Sequence, residues 1–299
     1  YRWLNITANY LGFGLSPAVC ICLVYVLDRK TALRREIRTA VRIEIGYLIF
    51  LFVTIPCGIV FSVSADNIYS RGPHFYIYVI MYFGAILYLS ASTVITAREF
   101  QNRSRLLIYP LILFVMAETI IQVALPELHV TWLCVTLLSV LYFIYCSEMW
   151  NQLDALTGLL NQNSYLKQTG GVRYKGGVLV VFDVDDFKQI NDQYGHIQGD
   201  LCLAGIAECI KKSYANFGYC YRIGGDEFCV LLKNGGNEGR CKQEFLQRLQ
   251  EKRGEIAFFP TVSYGSALFS GEDIVKVKDR ADQDMYQYKK ERKNRKRLS

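Results

Sequence analysis

Apolar residues follow two different patterns along this chain. In the first half they form five long runs nearly free of charge, at 8–27, 43–63, 75–97, 105–125 and 130–149. Each has about the 20 residues a helix needs to cross ~30 Å of hydrocarbon, so about five transmembrane helices are expected. Two runs carry an acid, Glu44 near one end and Glu118 deep inside. An acid within a span is functional by default or pairs with a polar neighbour. Beyond residue 150 the pattern shortens. "GVLVVFD" (177–183) is β-branched and wholly apolar, as a buried strand would be. Residues 200–213 set Leu201, Ala204, Ala207 and Ile210 at helical spacing. A hairpin (219–232), a polar-rich helix (240–252) and a strand (258–270) follow. Last comes a helix (273–292) with Val277, Ala281, Met285 and Tyr288 on one face.

The order β-α-β-β-α-β-α predicts an α+β domain of ferredoxin-like, palm-type arrangement, with a mostly antiparallel sheet and flanking helices. The expected organisation is a membrane region at 1–149 and a soluble domain at 150–299, one domain's worth of chain.

Charge adds direction. The loop 28–42 carries Arg29, Lys30, Arg34, Arg35, Arg38 and Arg42, and 98–105 carries Arg98, Arg103 and Arg105. The loop 64–74 has only Arg71, and 126–129 has no basic residue. This alternation puts the first and third connections in the cytoplasm and everything after Trp150 with them. The chain opens on Tyr1 rather than Met, so an upstream piece is expected, and one more span there would place the true terminus inside. No small-residue cleavage site follows the first apolar run, against a cleaved signal peptide. The net charge of +7 is no sign of nucleic acid. The 28–42 loop and the tail "KKERKNRKR" (289–297) hold more than all of it, leaving the remainder slightly acidic. The tail suits anionic headgroups, a phosphate or plain solvent. Ten cysteines include no C-x-x-C, and the chain has three histidines, so the cysteines read as small buried residues.

The candidate chemistry sits in "CYRIGGDEFCVLL" (220–232). Gly224 and Gly225 would supply the positive φ of a tight hairpin turn, yet two adjacent acids, Asp226 and Glu227, follow them. Asp183 ends the 177–183 strand, with Asp185 just beyond. If that strand and the hairpin pair at the sheet centre, Asp183, Asp226 and Glu227 meet at one edge. Crowded carboxylates stay ionised only beside a cation. A few hard oxygens suit Mg²⁺ that also takes substrate phosphate oxygens, the arrangement of two-metal phosphoryl transfer. Glycines without side chains let a phosphate or base approach the backbone.

Taken together, these motifs resemble the GGDEF domain of bacterial diguanylate cyclases. The pentapeptide is intact at 224–228, and "FDVDDFKQINDQYGHIQGD" (182–200) is similar to the family's second motif. "DALTGLLNQ" (154–162), "TVSYGSA" (261–267) and "RADQDMYQYKK" (280–290) resemble its entry segment, late strand and final helix. The resemblance covers about 150–294. It implies condensation of two GTP into cyclic di-GMP and two pyrophosphates, each 3′-hydroxyl attacking the other nucleotide's α-phosphate. It implies two Mg²⁺ per site, with Mn²⁺ an option, on Asp183, Asp226, Glu227 and the Val184 carbonyl. Asp226 would be the general base, assisted by Glu227, and Lys188 would stabilise transition-state charge. Asn191 and Asp200 would read guanine, Gly224 and Gly225 would admit the substrate, and Lys289 and Lys293 would hold its β- and γ-phosphates. His196 would bond locally in its loop, and the backbone would need Gly199.

The chain departs from the family pattern in three places. Asn161-Gln162 stands where Asn-Arg is usual, and Lys293 replaces an arginine and its bidentate fork. Ala215 and Gly218 stand where an Arg-x-x-Asp product-inhibition site would be. The two-fold product implies a homodimer. The partners are then GTP, a second copy, the lipid bilayer and an unidentified signal, with no nucleic acid. The location would be a bacterial inner membrane, multi-pass, with the catalytic domain in the cytoplasm. A helix continuous from the fifth span through 157 would carry control. Two other readings are a catalytically silent GTP-binding regulatory module and a receptor whose second half only dimerises. The intact acids, Lys188, Asn191 and Asp200 argue against the first, and nothing beyond the spans favours the second.

Overall fold

A computed structural model describes residues 1–27, 35–99, 108–124, 131–170, 176–233 and 235–298. The chain divides into two compact units, Tyr1–Met149 and Trp150–Ser299.

The first unit is helical. It comprises α1 (Arg2–Leu27), α2 (Arg35–Thr54), α3 (Tyr76–Glu99), α4 (Ile108–Ala124) and α5 (Thr131–Asn151). Among the described residues three segments are long and apolar enough to cross a membrane: Arg2–Val26, Tyr76–Ala97 and Trp132–Asn151. The second apolar run behaves differently from its expectation as one span. Helix α2 stops at Thr54, before Pro56, which has no N–H to continue the ladder. Gly58 then turns the chain at φ +62°. The rest of the run enters a small hairpin of β1 (Phe61–Val63) and β2 (Tyr69–Arg71), closed by a Ser64 N–H to Ile68 carbonyl bond of 2.9 Å. Glu118 lies in α4, but its side chain lies outside the described residues.

Helix α5 ends at Asn151 and does not run through 157. Leu153 bridges to Leu160 instead. Asp154 closes a turn, accepting from the Thr157 N–H (2.9 Å) and hydroxyl (2.6 Å), while the Gly158 N–H donates to the Asp154 carbonyl. An Asx turn gives the backbone an alternative to continued helix.

The second unit contains α6 (Gln162–Thr169), β3 (Gly177–Val184), α7 (Phe187–Tyr194), α8 (His196–Tyr214), β4 (Gly218–Arg222), β5 (Glu227–Leu232), α9 (Glu238–Glu255), β6 (Val262–Phe269) and α10 (Ile274–Leu298). The short helices α6 and α7 escape the apolar pattern because eight residues give two turns and few buried positions. The strands form one antiparallel sheet in the order β4-β5-β3-β6.

Strand β3 reads as continuously apolar because both its faces are covered. Val178, Val180, Phe182 and Val184 pack with Ile190, Leu203, Ile206 and Phe245. Leu179 and Val181 face the other way, into a cluster with Tyr165, Val277 and Ala281. Gly265 sets the fit of the second layer. A Cβ there would run into the Ala281 carbonyl and the Met285 backbone, so α10 lies directly on β6. One turn past Met285, the helix delivers Lys289 to the end of β3.

Candidate functional site

The register of the sheet assembles the acids. Asp183 on β3 is the direct cross-strand partner of Glu227 on β5, and the Val184 N–H donates to the Asp226 carbonyl at 3.2 Å. Asp183 shares a strand face with Leu179 and Val181, the face toward α10. From there the Lys289 ammonium donates to Asp183 and lies 4.0 Å from Asp185. Burial alone would lower the Lys289 pKa. The bond to Asp183 and the charges of Asp183, Asp185 and Asp186 outweigh it and raise the value, so Lys289 is a firm cation.

Asp185 has a different task. It accepts from the Thr261 hydroxyl (2.8 Å), the Ser263 hydroxyl (2.6 Å) and the Arg292 guanidinium (2.7 Å), and its N–H donates to the Thr261 carbonyl at 2.9 Å. With its acceptors in use, it ties the end of β3 to β6 and α10. The sequence reading gave no role to Arg292 or to this tie. The hydroxyls of "TVS" (261–263), two positions apart and so on one strand face, were the available signal. Lys293 lies in α10, but its side chain lies outside the described residues.

The turn 223–226 corrects one expectation. Neither Gly224 nor Gly225 has positive φ. The loop is four residues long, so it needs no primed two-residue turn. It closes through Ile223 and Gly224 N–H bonds to the Glu227 carbonyl, at 3.0 and 3.3 Å. Gly224 serves closeness, since a Cβ would sit a tight 3.2 Å from that of Glu227, while Gly225 faces open space. The turn is also braced from outside. Arg222 donates to the Gly225 carbonyl (2.7 and 3.2 Å) and to Asp154 (3.0 Å). Burial alone would raise the Asp154 pKa, but its bonds from Thr157 and the Arg222 cation lower it. Asp154 and Arg222 were not singled out in the sequence, because their partnership spans 68 positions.

A second group forms where α7 meets α8. Gly195, at φ +84°, reverses the chain between them. A Cβ on Gly199 would collide with Asn191 Oδ1. Gly199 thus leaves room for the Asn191 side chain, which a Cβ would have to displace, and its own φ is not positive. That oxygen is buried and without a hydrogen-bond partner among the described residues. Asp200, next to Gly199, is exposed, as are His196 and Lys188. Among the described residues no hydrogen bond or ion pair joins this group to the Asp183–Lys289 group.

No three acidic, histidine or cysteine side chains among the described residues form a cluster that could hold a metal by themselves. The donors present, carboxylates of Asp183 and Glu227 with nearby carbonyl oxygens, still fit Mg²⁺ in chemistry. That ion keeps few protein ligands and completes its shell with substrate phosphate and water.

The fold and site thus define a class: a ferredoxin-like antiparallel sheet with acids at the central strand ends and a cation delivered from the last helix. Residues 151–295 match the family described as diguanylate cyclase, GGDEF domain, which identifies the second unit as a GGDEF domain. The chain is 35% identical over 159 residues to Diguanylate cyclase DgcP of Pseudomonas aeruginosa, a match covering 48% of this chain and 23% of that one. Diguanylate cyclase DgcS of Shewanella oneidensis is 32% identical over 154 residues, covering 49% and 52%. The matched part therefore spans between about a quarter and a half of these relatives' length. The crystal structure of the GGDEF domain of DgcB from Caulobacter crescentus in complex with c-di-GMP is 26% identical, covering 46% of this chain and 90% of that one at a TM-score of 0.40.

Proposed function

We propose that this chain is a membrane-anchored diguanylate cyclase that joins two GTP into cyclic di-GMP with release of two pyrophosphates. The observation that carries the reading is the Asp183–Glu227 pairing beside an intact Gly-Gly-Asp-Glu-Phe turn, with Lys289 brought to Asp183. Two copies of this chain face each other, one GTP in each, and each 3′-oxygen forms a bond to the other's α-phosphorus as the α–β phosphoanhydride breaks. Asp226 takes the 3′-hydroxyl proton. Mg²⁺ or Mn²⁺, two per site on Asp183, Asp226, Glu227 and the Val184 carbonyl, would neutralise phosphate charge.

Lys289 holds its place on Asp183 until nucleotide arrives, then exchanges that carboxylate for phosphate oxygens, with Lys293 on the same helix. Lys188 stabilises transition-state charge. Asn191 and Asp200 recognise guanine. The buried, unpartnered Asn191 Oδ1 supports this, because it is an acceptor still to be satisfied. Product inhibition at the 215–218 surface is not part of this enzyme's control. Gly218 packs so tightly that a Cβ would strike the Leu231 carbonyl, so the position admits no acid.

The test is GTP turnover by the purified full chain in lipid nanodiscs with Mg²⁺. Cyclic di-GMP and pyrophosphate should form in a 1:2 ratio. GTP binding without product would instead favour the silent regulatory module. Micromolar cyclic di-GMP should leave the rate unchanged, and micromolar binding of cyclic di-GMP that persists with the active site filled by a GTP analogue would reveal another product site.

A further inference from the structure

The first unit holds a cavity of about 640 Å³ between α1, α2 and α3, within the range of pockets that enclose a small organic molecule. Its walls are mostly apolar, with Ile21 from α1 and Gly84 and Ala85 from α3. Helix α2 contributes Glu36, Ala40 and Glu44, four residues apart and so along one face. Glu44 is only 6% exposed, and neither of its carboxylate oxygens has a hydrogen-bond partner among the described residues. Glu36, at an exposed position, adds a second acid to the lining, and among the described residues no lysine, arginine or histidine lines the cavity.

An ionised carboxylate enclosed by apolar walls costs several kcal/mol unless something neutralises it. The space beside Glu44 is large enough to bring that partner in from outside. The apolar walls favour a hydrocarbon body, and the acids select positive charge and reject anions. A bare metal ion fits poorly, since it would lose its hydration for few oxygen ligands. We propose that this cavity binds an organic ammonium ion with an apolar body, its head on Glu44 and its hydrocarbon between α2 and α3. The head can belong to a free amine or to an ethanolamine phospholipid, which present the same chemistry. The assignment does not depend on the catalytic reading of the second unit.

Gly84 gives a way to test the cavity without touching its charge. A Cβ built there meets nothing within 4 Å, so a larger side chain can enter the space. The experiment is equilibrium dialysis of radiolabelled 2-phenylethylamine against the full chain in phosphatidylcholine nanodiscs. Saturable binding of one probe per chain is expected, with 2-phenylethanol at equal concentration failing to compete. Glu44→Gln and Gly84→Leu should each weaken binding at least tenfold. Saturable binding that both variants retain, or that phenylethanol displaces equally, overturns the proposal, as does partition without saturation. If Glu44→Gln does not fold, Gly84→Leu decides alone. Adding phosphatidylethanolamine to the nanodiscs separates the sources. Loss of probe binding identifies the lipid headgroup as occupant, and retention identifies a free amine.

Discussion

The two units differ in how much apolar side chain they leave outside. In the second, the aliphatic and phenylalanine residues of the sheet are inside, with Leu179, Phe182, Phe228 and Val230 all at 1% exposure or less. In the first, many large apolar side chains stand outside, among them Leu87 at 62%, Ile80 at 63% and Phe143 at 63%, while Tyr47, Tyr78, Tyr82 and Tyr142 are inside. Tyr142 satisfies its hydroxyl there by bonding Thr93 at 2.8 Å. Water rewards the first arrangement. Hydrocarbon rewards the second, because apolar surface costs nothing in lipid and polar groups must find partners within the protein. The same contrast separates the acids. Asp185 has three side-chain donors, whereas Glu44 has no partner among the described residues.

The largest expected effect falls on the second unit alone. Asp226→Ala should cut cyclic di-GMP formation by roughly 10²–10⁴, the range for removing a general base. The fold should survive, since Asp226 lies in the turn and contributes its carbonyl, not its side chain, to the Val184 bond. Near wild-type turnover, measured by product chromatography, would sink the assignment of Asp226 as base.

How much of this was legible in sequence follows the same division. Strand β3, the hairpin and α10 could be read because burial on both faces, or on one helical stripe, leaves a periodic trace. The meeting of Asp183 with Glu227 could be read from the order of strands. What escaped depends on approach in space. Asp154 reaches Arg222 across 68 positions, and Arg292 reaches Asp185 across 107. The role of Gly224 was misassigned because sequence shows a glycine but not whether it supplies φ or room. The break after Thr54 escaped because the apolar run continues through Pro56 into a hairpin.

A matched pair of substitutions sharpens the contrast of solvents. Leu87, midway along α3, and Leu268 on β6 are exposed to similar degrees, 62% and 72%. Leu87→Asp should impair membrane insertion at a cost of about 2.5–3.5 kcal/mol, the value for an acid at the centre of a spanning helix. Leu268→Asp should stay within about 0.5 kcal/mol, as surface changes do in water. Membrane-fraction yield reads the first and urea denaturation the second. Equal tolerance of both would break the comparison, since it would mean one solvent for both units.

The next effect concerns the layer that carries Lys289. Gly265→Ala forces a methyl into the backbone of α10, and overpacking of this kind costs about 1–3 kcal/mol. The displaced helix should also raise the KM for GTP through Lys289 before it lowers kcat. Stability lost with KM unchanged would separate the packing of α10 from substrate binding.

The smallest effect tests a carboxylate whose partners are all in place. The folded-state pKa of Asp154 lies below its ordinary value of 3.8. Its charged form therefore stabilises the fold above about pH 4, and that contribution fades as pH falls through the lowered value. Its side chain is 24% exposed and that of Arg222 14%, so solvent screening keeps the pair to about 0.5–1 kcal/mol. Asp154→Asn keeps the shape and removes the charge. At pH 7 the β4–β5 amides of the wild type should exchange hydrogen about two- to fivefold more slowly than those of the variant. As pH falls below 3.8 and through the lowered value the ratio should shrink toward one, because the carboxyl takes up its proton and loses its hold on Arg222. A ratio that stays constant between these pH values would show that the 154–158 turn braces the 223–226 loop through shape alone, with the Asp154–Arg222 charge pair adding nothing.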